Sequence, residues 1–260
     1  MYNQRNLSFI IFLSLLILQL GHLNAQVNKK NFNIVFIGNS ITHGSGLPDP
    51  ATQAPPVIAA QRLREMKGMG NIQMTNVGKS GSTTLDWLPK NNKLFPTAEK
   101  AANAYASDST ATLLFSLVLG TNDSAIKGPH GAPVAPNDYH ANLTSIVDRL
   151  LTEYPGCKLI IQYPTWYSEN TYNTSKYLKE GLQRLQSYFP EIDGVVKEYA
   201  VSQPGRVFAG NKKVFGYFKK HPALFQNEKG QQGIFNLHPN QEGAAVLGTF
   251  WAKAIDKALN

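Results

Sequence analysis

Apolar residues in this chain fall into short unbroken runs, separated by longer stretches in which they recur every three or four positions. The run Asn33-Ile34-Val35-Phe36-Ile37 is rich in β-branched and aromatic residues and stops at Gly38-Asn39-Ser40. Such a run predicts a strand buried on both faces. Further strands are expected over 71–77, 112–119, 158–163 and 206–209. The most hydrophobic of them, Thr112 to Leu119, belongs in the sheet centre. Helical spacing marks 56–67, ended by Gly68 and Gly70, and then 97–106. A longer helix is expected after Asn137, placed as its cap, with Tyr139, Leu143, Ile146, Val147, Leu150, Leu151 and Tyr154 on its inward face. Tyr177, Leu178, Leu182, Leu185 and Phe189 mark another, which Pro190 is expected to stop. Residues 210–237 read as irregular, and Asn240 caps a terminal helix through Ala258. Strands alternating with helices imply parallel pairing and right-handed crossovers. The expected fold is therefore α/β, a three-layer α/β/α sandwich on a central five-stranded parallel sheet.

Composition narrows the function. A chain of 260 residues, 42% hydrophobic, suits one sizeable domain. The formal charge of +8 is spread as single lysines and arginines with a few pairs. No basic helix face results, so nucleic acid is not an expected partner. At the amino terminus Arg5 precedes the apolar run Phe9 to Leu20, and Leu23-Asn24-Ala25 ends on a small residue. This pattern reads as a signal peptide over 1–25, cleaved after Ala25, with one domain over 26–260. The expectation is export to the periplasm or outside the cell, with no stable membrane anchor after cleavage; a retained anchor is the alternative. Cys157 is the single cysteine, so no intrachain disulfide forms, and it reads as a buried small hydrophobe.

Chemistry gathers where the strands end. Ligands of open α/β sheets bind at the carboxyl ends of the strands, and Ser40 follows the first strand there. A serine hydroxyl needs a base to become a nucleophile, and His238, in the loop before the terminal helix, is the candidate. Backbone N–H groups of Ser40 and Gly81 and the side-chain amide of Asn122 are suitable donors for an oxyanion. Each residue also has a plain reading: Asn122 as a turn residue, Gly81 as a site of positive φ. His221-Pro222, a second His-Pro, reads as a packed turn. Gly78-Lys79-Ser80 is no phosphate loop, because the first glycine of that motif would fall at Gln73. Gly44 and Gly46 lack a third glycine, Asp49 occupying its place. With no histidine pair on a helix and no cysteine cluster, neither a metal nor another cofactor is expected.

Four blocks, Gly38-Asn39-Ser40-Ile41, Gly78 to Gly81, Gly120-Thr121-Asn122-Asp123 and His238-Pro239-Asn240, resemble the ordered blocks of the SGNH, or GDSL-type, hydrolases. The resemblance implies a flavodoxin-like fold, Ser40 as nucleophile, Gly81 and Asn122 in the oxyanion hole and His238 as base. Two positions depart from the pattern. Asn39 stands where the family usually has aspartate, and Phe235 stands where an aspartate usually precedes the histidine by three positions. That aspartate orients the imidazole. Its loss leaves either a Ser-His dyad steadied by a backbone carbonyl, the favoured reading, or a substitute carboxylate, with Glu228 nearest in sequence.

Within that family the chain most resembles secreted sialate or xylan O-acetylesterases, so the resemblance implies ester hydrolysis through an acyl-serine, on a small-molecule or polysaccharide ester. Asn39, Trp87, Asp123, Tyr163 and Trp166 are candidate substrate contacts, with Tyr167 a further aromatic in the same loop. A lysophospholipase or thioesterase activity, and a weakly active glycan-binding module, stand as alternatives.

Overall fold

A computed structural model describes residues 29–128 and 130–259. The proposed signal peptide lies outside the described residues. Five strands, β1 (Lys30–Gly38), β2 (Met69–Asn76), β3 (Thr112–Val118), β4 (Lys158–Ile161) and β5 (Val207–Ala209), form one sheet in the order β2-β1-β3-β4-β5. Every pairing in it is parallel. The apolar run of β1 explains its place: Ile34, Val35, Phe36 and Ile37 are all fully buried between neighbours on both sides. Strand order reverses beside β1, so the crevice of the topological switch point opens between the carboxyl ends of β1 and β3.

Short helices α1 (Ser40–His43) and α2 (Pro50–Gln53) follow β1, and α3 (Pro55–Glu65) leads to β2. Next come α4 (Phe95–Asn103), α5 (Pro136–Glu153) and α6 (Leu178–Ser202), then α7 (Lys213–Lys220) and α8 (Gln241–Leu259). Helix α3 packs on α8 and α5 on α6, which supplies the two outer layers. Trp251 of α8 stacks on Phe36 of β1 at 6.0 Å between ring centroids.

Three expectations are corrected. Pro190 does not stop α6, which runs on to Ser202. Proline forfeits the bond to the carbonyl four residues back and costs about 3 kcal/mol in a helix interior. Beyond it, however, Ile192, Val195 and Tyr199 are buried, and that burial holds the second half in place. Asn137 is not the cap of α5: Pro136 already occupies the first helical turn and Ala135 precedes it without a side-chain bond. Residues 210–237 are not irregular throughout. They hold α7 and an antiparallel hairpin, β6 (Glu228–Gly230) with β7 (Gly233–Phe235). Asn240 caps α8 as expected, its Oδ1 accepting from Gly243 N at 2.9 Å. Cys157 is buried, and burial pushes its thiol pKa up, which keeps it an unreactive thiol. Among the described residues no helix is long and apolar enough to cross a membrane.

Candidate active site

Ser40 opens α1 directly at the end of β1. Asn39 caps that turn, its Oδ1 accepting from Ile41 N at 3.0 Å, so this buried side chain holds backbone. Gly38 is required by close approach: a Cβ there would lie 2.0 Å from Thr42 Oγ1 and 2.9 Å from Val118 O. Strand and turn therefore meet with no room for a side chain, and the Ser40 hydroxyl is carried at the rim of the sheet.

His238 reaches Ser40 from the far end of the chain, its Nε2 2.9 Å from Ser40 Oγ. Gln226 ties the histidine loop down, its N–H donating to His238 O at 2.9 Å and its Nε2 to Ser45 O and Pro239 O. On the other side of the ring, His238 Nδ1 lies 2.9 Å from Glu228 Oε2, and Glu228 Oε1 accepts the His238 backbone N–H at 3.0 Å. A carboxylate only accepts, so Nδ1 carries the proton and Nε2 is left to take one from Ser40. The favoured dyad is thus corrected: the group behind the imidazole is the Glu228 carboxylate, not a backbone carbonyl. Its origin lies in hairpin register, where Glu228 pairs directly across from Phe235. The residue at the family's usual aspartate position turns into the core at 1% exposure, and its cross-strand neighbour supplies the carboxylate. Two glycines around Gln231-Gln232 are the sequence signal for that hairpin.

The loops after β2 and β3 are tied to the end of β1 and to each other. Gly81 has φ +80°, where glycine carries no steric cost, and Ser82 Oγ donates to Gly38 O at 3.1 Å, which seats the turn against β1. Asn122 is 4% exposed and donates from Nδ2 to Ser82 O at 2.9 Å, so the loops after β2 and β3 are bonded together. Only one of its two amide hydrogens is used there.

Several expected substrate contacts have other work. Trp87 is fully buried and its Nε1 donates to Ser82 Oγ at 3.1 Å, a support for the Gly81 turn. Tyr163 is 3% exposed, with its hydroxyl on Asp193, toward α6. Trp166 is half-buried with its ring edge-on to Phe225 at 5.7 Å, near the histidine loop, and Tyr167 is fully buried. His221 lies outside the site with Nδ1 on Tyr217 O at 2.7 Å, next to a single turn over Pro222–Leu224.

Asp123 is fully buried, with its carboxylate turned to neighbouring loops. Its Oδ1 accepts from Thr84 N at 2.8 Å and Thr84 Oγ1 at 2.5 Å, and its Oδ2 accepts from Gly120 N at 3.1 Å. Asn142 of α5 donates to the same Thr84 hydroxyl at 2.9 Å, a linkage the sequence does not signal. Burial dominates over these bonds and raises the Asp123 pKa from 3.8 to about 6. A raised acid pKa means that the folded state holds the proton longer than the unfolded chain, so this contribution is present in full below about pH 4 and is lost as pH climbs through about 6. In Asp123→Asn the titration disappears, and an amide N–H faces Gly120 N–H. The variant is expected to melt below the wild type, with the gap in Tm widest near pH 4 and narrower by pH 7. A gap that stays constant over that range, by circular dichroism, contradicts the assignment.

Among the described residues no cluster of three or more His, Cys, Asp or Glu side chains is arranged to hold a metal ion.

Residues 36–246 match the model of the GDSL-like Lipase/Acylhydrolase family. No curated protein matches the chain in sequence. Similar solved structures include Est24, a carbohydrate acetylesterase from Sinorhizobium meliloti, at 20% identity and TM-score 0.54 over 86% of this chain and 98% of that one. A catalytic mutant of Axe2, an acetylxylan esterase from Geobacillus stearothermophilus, aligns at 18% identity and TM-score 0.57 over 89% and 95%. A lipase/acylhydrolase from Enterococcus faecalis aligns at 19% identity and TM-score 0.56 over 86% and 95%. At these identities the likeness concerns the fold.

Proposed function

Since the chain belongs to the GDSL-like lipase/acylhydrolase family and is an ester-hydrolysing enzyme, we propose that it removes O-acetyl groups from carbohydrate, with Ser40, His238 and Glu228 as the catalytic relay. The observation that carries this reading is the unbroken line of contacts, 2.9 Å from Glu228 to His238 and 2.9 Å from His238 to Ser40.

Ser40 Oγ attacks the ester carbonyl carbon while His238 Nε2 takes its proton, and the carbonyl π electrons move onto oxygen. The Ser40 and Gly81 N–H groups and the free Asn122 amide hydrogen receive that oxyanion. Collapse breaks the bond to the sugar oxygen, which leaves with the proton from His238. Water then gives a proton to Nε2 and attacks the acyl-serine, and the second collapse returns the hydrogen to Ser40 and releases acetate. Glu228 stays ionised throughout and stabilises the imidazolium formed in each half.

Acetylated sugar is favoured because Est24 and Axe2 are described as a carbohydrate acetylesterase and an acetylxylan esterase. The binding-module alternative rested on a missing carboxylate, and Glu228 removes that support. Export to the periplasm or medium is part of the same proposal. A panel of acetylated xylan, O-acetylated sialic acid and lysophosphatidylcholine tests it. Acetylated sugar is expected to give a kcat/KM at least about tenfold above the lysophospholipid, roughly 1.4 kcal/mol of transition-state discrimination; the reverse order reassigns the substrate.

A further inference from the structure

The loop that carries Asn122 is gripped from one side by the start of α6. Tyr177, the residue before that helix, places its hydroxyl 2.7 Å from Asn122 Oδ1. Next to it, Arg184 Nη1 donates to Ser124 O at 2.9 Å and the Tyr167 hydroxyl lies 2.9 Å from Ser124 Oγ. Tyr167 and Tyr177 meet edge to face at 5.3 Å. We infer that Tyr177 is a positioning residue, its O–H locking the Asn122 carboxamide in the orientation that aims an N–H at the developing oxyanion; this rests on the hydrolysis proposed above.

The orientation of the amide follows from chemistry. Ser82 O only accepts, so the atom of Asn122 that faces it at 2.9 Å must be Nδ2. The atom facing Tyr177 is then Oδ1, and the phenol must donate. A planar group held at both its nitrogen and its oxygen cannot turn about its last torsion, so its second N–H has a fixed direction. Both side chains are almost fully buried, Asn122 at 4% and Tyr177 at 3% exposure, and little solvent competes for either bond. Donation into Oδ1 also polarises the amide and strengthens the remaining N–H as a donor. Burial pushes the phenol pKa above its ordinary value, so the hydroxyl keeps its proton through the working range. The tyrosine itself is fixed by its N–H on Thr171 O at 3.1 Å and by the ring of Tyr167.

Tyr177→Phe keeps the ring and removes the donor. Its kcat for p-nitrophenyl acetate, per active site titrated with an organophosphate, is expected to fall about tenfold to a hundredfold, within the range that loss of an oxyanion donor sets as a ceiling. KM stays within about twofold, because the bond matters in the transition state and not in the ground state. In an Asn122→Ala background the same change costs less than about twofold, since the group it positions is gone. Full kcat in Tyr177→Phe, a loss confined to KM, or losses that add in the double variant would overturn the inference. A purely structural tyrosine lowers Tm and the titrated fraction instead of kcat per site. Should the variant not fold, the wild type decides: the Asn122 side-chain amide protons are expected to exchange slowly by NMR, and exchange at the rate of a free asparagine sinks the idea. Ser40→Ala separates the two levels. If it is inactive while Tyr177→Phe is fully active, only this inference fails, whereas hydrolysis independent of Ser40 removes both.

Discussion

Ser40→Ala is expected to lower kcat for p-nitrophenyl acetate by at least about 10⁴-fold while the protein folds and melts as the wild type does. In the proposed mechanism the hydroxyl forms the covalent bond, and removal of the nucleophile from a serine relay leaves only the residual catalysis of oxyanion donors and binding. Stability is expected to be unchanged because the turn at Ser40 is held by other atoms. Asn39 Oδ1 caps it, and the Ser40 carbonyl accepts from Gly44 N at 3.0 Å and Ser45 N at 2.9 Å, bonds that alanine keeps. Stopped-flow and steady-state rates on the purified variant check this. An alanine variant within tenfold of the wild type would place the chemistry elsewhere.

The second large effect is expected from Glu228→Gln, a loss of about 10³-fold in kcat. The isosteric amide keeps an oxygen for the His238 backbone N–H, so the loop is retained. It presents an N–H to Nδ1, though, where the carboxylate accepted, and the imidazole answers by moving its proton to Nε2. That nitrogen then donates toward Ser40 and no longer takes its proton, and the charge that steadied the imidazolium is absent as well. Glu228→Asp is expected to recover part of the loss, since it restores an acceptor one methylene short. A Gln variant with unchanged turnover would return the site to a dyad and make the 2.9 Å contact incidental.

Much of this protein is written locally. The apolar run of β1, the breaks at Gly38, Gly120 and His238, and the alternation of strand with helix are properties of neighbouring residues, so fold class, strand order along the chain and the blocks bearing Ser40, Gly81, Asn122 and His238 could be read directly. The errors have a common cause. Pro190 and Asn137 follow local rules for helix ends, and tertiary burial of Ile192, Val195 and Tyr199, or a competing proline at Pro136, outweighs them. Trp87 and Tyr163 are aromatic and near loops, but only packing decides whether a ring faces solvent or the core.

What the sequence determined was therefore which reactive groups stand at strand ends, because their placement depends on the few residues on either side. What the tertiary structure alone decided was which carboxylate supports the imidazole and which side chains hold the loop that carries Asn122. Glu228 comes into place through the register of a hairpin, and Thr84, Asn142 and Tyr177 through the packing of α5 and α6 on the loops. Those contacts join residues 10 to 58 positions apart, and no periodicity within a segment encodes a distance between segments.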